Sequence, residues 1–149
     1  MKETKYIPGD LVMFKNPFEP SDTCVGIVKF LGNISDIILL CPYTNLNLEY
    51  FIKVENIQGI PITPEILEKN GWKKKVMSRG ILNSHWVYTK PDIEEYGYFP
   101  IYIEKGIGKE FDVYPFTYNK SCTQITYIKY VHELQHLFFG LGINHEMEV

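Results

Sequence analysis

The chain has 149 residues, of which 45% are hydrophobic and 22% charged, and its formal net charge is −3. This length suits one compact domain or two small subdomains, and the acidic balance excludes a field that would hold the whole molecule on nucleic acid or an anionic membrane. The three cysteines form no CxxC pair, and the sequence has neither the apolar core of a signal peptide nor a run long enough to cross a bilayer. We therefore expect a reduced, cytoplasmic protein.

Residues 1–62 alternate short β-type runs with turn residues and are predicted to form a first subdomain. The runs are GDLVMF (9–14), CVGIVKFLGN (24–33), DIILLCP (36–42) and EYFIKVENI (49–57). Such close spacing predicts a meander that curls into a small SH3-like β-barrel. Gly26 and Gly32 are expected at bends or bulges, where a side chain would be in the way.

The segment IPITPEILEKNGW (60–72) carries the signals of a short helix. Thr63 suits the N-cap, and Pro64 suits the first helical position because its missing N–H would be unpaired there. Gly71 suits the left-handed conformation that often follows a last turn. We predict a linking helix from Pro64 to Asn70.

Residues 63–149 are predicted to form the second part of an α+β fold. After the linking helix come the β-type runs WKKKVM, HWVYTK, YFPIYIEK, EFDVYPF and QITYI, separated by turn-rich connections. They predict a meandering antiparallel sheet. An amphipathic C-terminal helix over about residues 128–139 is expected to pack across this sheet, and the two parts are expected to form one cooperative unit.

Five residues of that terminal helix, HELQH (132–136), match the HExxH pattern of zinc peptidases. On a helix, His132 and His136 would lie one turn apart and could bind one zinc ion, with Glu133 as the base that activates water. No third ligand follows at metzincin spacing, since His145 is out of register. On a helical wheel both histidines lie opposite the apolar arc, which predicts a solvated face. We expect no metal here and keep a zinc-dependent hydrolase as the alternative.

Two stretches of the chain resemble paired signatures of a known family. They are IPITPEILEKNGWKKK (60–75) and IKYVHELQHLFFGLG (128–142). They are similar to IPLTPEILLKNGF and IKYVHQLQNLYFALTG in short uncharacterised proteins of gut anaerobic bacteria, their phages and mobile elements. That family has no assigned activity. Because its version places Gln and Asn at positions 133 and 136, the resemblance implies that the helix is not built around a metal.

A second set of candidates lies between residues 72 and 88. Lys73 and Lys75 share one face of a predicted strand, and Arg79 lies in the turn SRG. Together with Trp86 and Tyr88 of the next strand, these side chains could hold an anionic, aromatic ligand such as a nucleotide. The other interpretation is a solubilising edge strand.

The sequence therefore predicts a non-enzymatic binding module without a cofactor. The resemblance alone implies a phage or mobile-element setting. The partner is either another protein, including a second copy of this chain, met through exposed aromatic surface, or a small anionic ligand, for example a nucleotide signal of host defence that the protein sequesters. The alternative function is the HExxH zinc hydrolase.

Overall fold

A computed structural model describes residues 6–31, 37–78, 84–90, 101–105, 111–115 and 126–149. Within these ranges the fold is mixed α+β, with two antiparallel five-stranded sheets and two α-helices. The strands are β1 Leu11–Lys15, β2 Thr23–Leu31, β3 Ile37–Pro42, β4 Tyr50–Lys53, β5 Ile57–Gly59, β6 Lys73–Ser78, β7 Ser84–Thr89, β8 Ile101–Lys105, β9 Phe111–Pro115 and β10 Thr126–Ile128. The helices are α1 Pro64–Lys69 and α2 Val131–Gly140, and a 3-10 turn spans Val54–Asn56. None of the described helices is long and apolar enough to cross a membrane.

The chain divides into two compact units. The first consists of Met1–Pro61 with Tyr130–Glu146, and the second of Ile62–Lys129 with Met147–Val149. The chain thus leaves the first unit after β5 and returns to it for α2. Whether the two units unfold cooperatively stays a prediction.

The sheet of the first unit has the strand order β4-β3-β2-β1-β5. Four strands follow one another as a meander, and β5 returns to pair antiparallel with β1. Inward-facing side chains such as Val12, Phe14 and Val28 form a buried cluster with Ile52 of β4. Among the described strands no pairing joins β4 to β5, so the sheet is open as far as it is described.

Gly26 of β2 lies where the core allows no side chain. A Cβ at this position would come within 2.7 Å of the Phe14 ring and 3.3 Å of the Cys41 carbonyl oxygen. The steric part of the prediction for Gly26 is therefore confirmed, whereas its regular pairing with Val12 and Pro42 shows no bulge at this position. The ladder of β2 with β3 shifts register between Val28 and Phe30. Gly32 lies outside the described residues.

The terminal helix α2 belongs to the first unit, which corrects the expectation that it packs across the second sheet. At its start, the Val131 N–H donates to the Ile60 carbonyl at 2.8 Å. Farther along, the Gln135 side chain bonds the N–H of Leu11 in β1 at 2.9 Å. A helical wheel shows which face of α2 is apolar but not which sheet it covers, and here the buried polar side chain of Gln135 helps to fix α2 against β1.

The second unit confirms the predicted linking helix and meander. Thr63 caps α1 by accepting a hydrogen bond from the Ile66 N–H at 3.3 Å, Pro64 takes the first helical position, and Gly71 follows with φ 85°. The sheet has the order β10-β9-β8-β7-β6, with each strand antiparallel to its neighbours. Trp72 and Leu67 are both buried beside the end of α1.

Candidate functional site

The first histidine of the HExxH match lies in the interior. Only 1% of His132 is exposed. Its ring stacks on Tyr130 with centroids 5.6 Å apart and meets the edge of Tyr6 at 5.0 Å. The predicted solvated face is therefore wrong at His132. Two tyrosine rings give the imidazole an aromatic environment, and a hydropathy wheel does not represent such packing.

The glutamate of the match stabilises the start of α2. The Glu133 carboxylate accepts a hydrogen bond from the Tyr130 backbone N–H at 3.0 Å. In return, the Glu133 N–H donates to the Tyr130 carbonyl at 3.1 Å. A carboxylate at the third helical position also interacts favourably with the positive end of the helix dipole. This carboxylate is thus engaged in capping.

The second histidine pairs with a buried aspartate. Nε2 of His136 lies 2.8 Å and 3.0 Å from the two carboxylate oxygens of Asp10. Asp10 is 1% exposed and also accepts a hydrogen bond from the Ile7 N–H at 2.8 Å. Burial raises the pKa of the Asp10 carboxyl above its ordinary value, although the bonds from Ile7 and His136 act in the opposite direction.

Gln135 completes what we call the polar cluster, which consists of Asp10, Gln135 and His136. The Gln135 side chain is 2% exposed. Its oxygen accepts from the Leu11 N–H at 2.9 Å, and its amide nitrogen donates to the carbonyls of Gly9 at 3.1 Å and His145 at 3.2 Å. The cluster therefore ties α2 to the segment that leads into β1 and to the segment that follows α2.

The zinc alternative competes with these contacts. The rings of His132 and His136 have centroids 5.7 Å apart. A zinc ion bound through Nε2 of His136 would displace the contact with Asp10, and Glu133 would have to leave the helix N-terminus to act as a base. Across the described part of the chain, no group of three or more His, Cys, Asp or Glu side chains is arranged to hold a metal ion. The zinc hydrolase stays a prediction.

The lysines of the predicted anionic-ligand site lie on β6. The register pairs Lys73 with Thr89 and Lys75 with Val87. Both lysine side chains are exposed. Directly paired residues of an antiparallel sheet point to the same face. The two lysines therefore share one face of the sheet with Val87 and Thr89.

Tyr88 lies on the opposite face from Lys73 and Lys75. Its strand partner is Lys74, and Tyr88 is 5% exposed. Burial raises the pKa of the Tyr88 hydroxyl, and the negative charges of Glu68 and Glu65 add to that rise. The structure thus does not bring Tyr88 together with the two lysines.

The other two members of that set cannot be placed as ligand-binding groups. Arg79 lies outside the described residues. Trp86 is in β7 and pairs with Val76, but its side chain is not among those described. The roles of Arg79 and Trp86 in ligand binding stay a prediction.

A different candidate surface begins at the connection between β1 and β2, NPFEPSD (16–22). The Asn16 N–H donates to the Asp22 carbonyl at 3.0 Å and closes the loop, and the Asp22 N–H donates to the Glu19 carbonyl at 2.9 Å. The Asn16 side chain accepts from the Phe18 N–H at 3.0 Å. Two prolines further restrict the backbone. The loop is therefore held in shape by its own bonds.

This loop and β4 expose two large aromatic side chains. Phe18 is 80% exposed and Phe51 is 76% exposed. The ring of Tyr50 supports the loop, since its centroid lies 6.0 Å from that of Phe18 and 6.0 Å from that of the core residue Phe14. Both phenylalanines thus project from an ordered framework.

A groove with a volume of about 420 Å³ runs between the loop, β4 and the 3-10 turn. We call it the aromatic groove, and its lining includes Lys15, Pro17, Pro20, Phe51, Lys53 and Glu55. The prolines and the phenylalanine supply apolar surface, and the charged residues supply polar groups around it. An arrangement of this kind can bind a side chain and its flanking backbone.

Sequence reasoning did not find these aromatic positions, although one local signal was present. In the run Tyr50–Lys53 the side chains alternate, so that Ile52 is buried and Phe51 is exposed. Alternation with period two would have predicted Phe51 on the outer face. Nothing local indicated that Asp10 would meet His136, because 126 positions separate them.

Comparison of the chain with protein-family models, with curated proteins and with solved structures gives no match.

Proposed function

We propose that the chain is a non-enzymatic binding module that holds a partner protein at the aromatic groove of its first unit. The observation that carries the proposal is the exposure of two phenylalanines: Phe51, at 76%, lines the groove, and Phe18, at 80%, lies on the β1–β2 loop that borders it. Aromatic side chains contribute strongly to protein interfaces because they bury large areas at a small entropic cost. Exposed in water, they contribute little to folding.

The topology of the first unit supports interpretation as an SH3-like barrel. Its strand order is β4-β3-β2-β1-β5, and the 3-10 turn Val54–Asn56 connects β4 to β5. The groove lies between the β1–β2 loop and this turn. In this interpretation the barrel supplies a rigid scaffold, and its loops supply recognition.

The resemblance described above supports a phage or mobile-element setting, in which a cytoplasmic module of this kind would act on a host or phage protein. Sequestration of a small anionic signal by the segment from Lys73 to Tyr88 is the second hypothesis. It predicts that Arg79→Ala combined with Trp86→Ala abolishes thermal stabilisation by a nucleotide. We place the protein partner first because Tyr88 lies on the opposite face of its sheet from Lys73 and Lys75, whereas the apolar and charged residues of the aromatic groove line one depression.

The proposed function can be tested by selecting random linear peptides, displayed on filamentous phage, against the immobilised full-length chain. Peptides are expected to be enriched and then to bind the purified protein in solution. Substitution of Phe51→Thr or Phe18→Ser should weaken binding by about tenfold or more, because each removes a large contact area. Threonine keeps the strand preference at position 51.

The matched control is Phe139→Ser. Phe139 is 61% exposed on α2, which contributes no residue to the groove lining, whereas the loop that holds Phe18 contributes Pro17 and Pro20. This variant should bind the selected peptides as the wild type does. Failure to enrich any peptide, or equal binding by the wild type and both phenylalanine variants, contradicts the proposed function.

A further inference from the structure

A smaller depression lies directly beside the aromatic groove. Its volume is about 210 Å³, and its lining includes Met13 of β1 and Gln58 of β5. The two depressions share a wall formed by Lys15, Glu55 and Asn56. The two depressions therefore adjoin. A compact small molecule would occupy one depression, whereas an extended chain can occupy both.

The charges along this surface differ from those of the whole chain. The aromatic groove is lined by two lysines, Lys15 and Lys53, and by one glutamate, Glu55. The formal charge of its lining is therefore positive, although the whole chain has a net charge of −3. A carboxylate bound beside the lysines would gain a complementary charge next to an apolar contact, and such complementarity contributes mainly to specificity and association rate.

We infer that the aromatic groove and the adjacent depression bind an extended segment of a partner protein in which a bulky apolar residue stands next to an acidic residue. This inference rests on the proposed function and adds the chemistry of the partner. The apolar side chain packs on Phe51, Pro17 and Pro20, and the carboxylate interacts with Lys15 and Lys53. The flanking backbone continues past the shared wall into the smaller depression.

The test is a charge swap within the same peptide selection. Peptides recovered on the wild type should be enriched in Asp or Glu next to Phe, Leu, Trp or Tyr. Peptides recovered on the double variant Lys15→Glu/Lys53→Glu should instead carry Lys or Arg at that place. Each single lysine reversal should weaken a wild-type peptide about threefold, and both together about tenfold.

Lys29→Glu is the matched control, because Lys29 is exposed on β2 and lines neither depression. It changes the net charge as much as either single reversal and should leave affinity and peptide composition unchanged.

Binding of the wild type should also weaken as salt rises from about 0.05 to 0.5 M, since screening acts on exposed charges.

The outcomes separate this inference from the proposed function. If peptides are enriched and depend on Phe51, but the wild type and the charge-swapped variant select the same composition, the partner chemistry is wrong and the function stands. If no peptide is enriched, both fail. If the chain self-associates in analytical ultracentrifugation and Phe51→Thr makes it monomeric, the occupant is a second copy, and the inference is overturned.

Discussion

The two ends of β1 reverse the usual distribution of polarity. At its start, the buried interior contains the charged and polar side chains Asp10 and Gln135, at 1% and 2% exposure. Beyond its end, at Lys15, the surface presents Phe18 and Phe51 to solvent. Each buried polar group has partners within the chain, as its hydrogen bonds show. The exposed aromatic rings keep most of their surface available for a contact outside it.

This difference assigns separate roles to the two regions. A buried polar group that loses its partner costs more than the bond itself contributes, so the polar cluster constrains the fold to one arrangement of α2. An exposed aromatic side chain adds little to the free energy of unfolding, so its removal should affect binding alone. Substitutions at the two ends of β1 should therefore separate stability from recognition.

The largest loss of stability is expected for Gln135→Leu. Leucine is about as large but leaves the Leu11 N–H and the carbonyls of Gly9 and His145 without their Gln135 contacts. We expect the free energy of unfolding to fall by about 3 kcal/mol, since each buried group left unsatisfied costs roughly 1–3 kcal/mol. Urea denaturation measures this change as a lower midpoint at an unchanged slope. A loss below about 0.5 kcal/mol would show that the cluster does not hold α2.

Gly59→Ala should be the next most destabilising change, because α2 approaches the backbone of β5 closely. A Cβ at Gly59 would come within 2.6 Å of the Tyr130 ring and 3.0 Å of the His132 ring. We expect a loss of about 2 kcal/mol, typical of overpacking. Gly140→Ala is the control, since nothing lies within 4 Å of a Cβ there. Alanine at this helix position should leave stability unchanged or raise it by roughly 0.5 kcal/mol. Equal effects at both positions would refute the close packing.

Asp10→Asn tests the buried carboxylate through its pH dependence. The pKa of Asp10 is raised in the folded state, so the native protein binds this proton more tightly than the unfolded chain does. Relative to the asparagine variant, the wild type should lose stability as pH rises from about 3.9 through the folded pKa. At neutral pH the free energies of unfolding of the two proteins should differ by about 1 kcal/mol or less. Asparagine removes the cost of burying a charge, but it also removes a hydrogen-bond acceptor, and the two effects oppose each other.

The measurement is a set of urea midpoints for the wild type and the Asn variant between acidic and neutral pH. Asp22→Asn provides the control, since Asp22 is exposed in the β1–β2 loop. Its profile should run parallel to that of the wild type. If the profile of Asp10→Asn is also parallel to that of the wild type, burial does not raise the pKa of the Asp10 carboxyl in the folded protein.

Much of the fold follows from local signals. Thr63, Pro64 and Gly71 predicted α1 within one residue of its observed end, and every predicted strand run overlaps a described strand. Such signals depend on neighbours in the chain and on turn geometry, which a single sequence displays. They report less on contacts between distant residues.

The sheet against which α2 packs, and the burial of the polar residues of α2, depend on contacts between residues that lie far apart in the sequence. Gln135 bonds Leu11 across 124 positions. The helical wheel places His132 opposite the apolar arc, yet only 1% of His132 is exposed. A hydrophobicity pattern cannot show that tyrosine rings pack around the His132 imidazole, or that backbone groups form hydrogen bonds with the buried amide of Gln135.

The smallest effect on stability is expected at the other end of β1, for Phe18→Ser and Phe51→Thr. Both rings are largely in solvent, so each variant should unfold within about 0.5 kcal/mol of the wild type by the same urea titration. The same two substitutions should produce the largest loss of peptide binding, whereas Gly59→Ala, measured below its unfolding transition, should bind as the wild type does. If Phe18→Ser lowers the free energy of unfolding by more than about 1 kcal/mol, the contact of Phe18 with Tyr50 stabilises the loop. The two ends of β1 would then not have separate roles in stability and recognition.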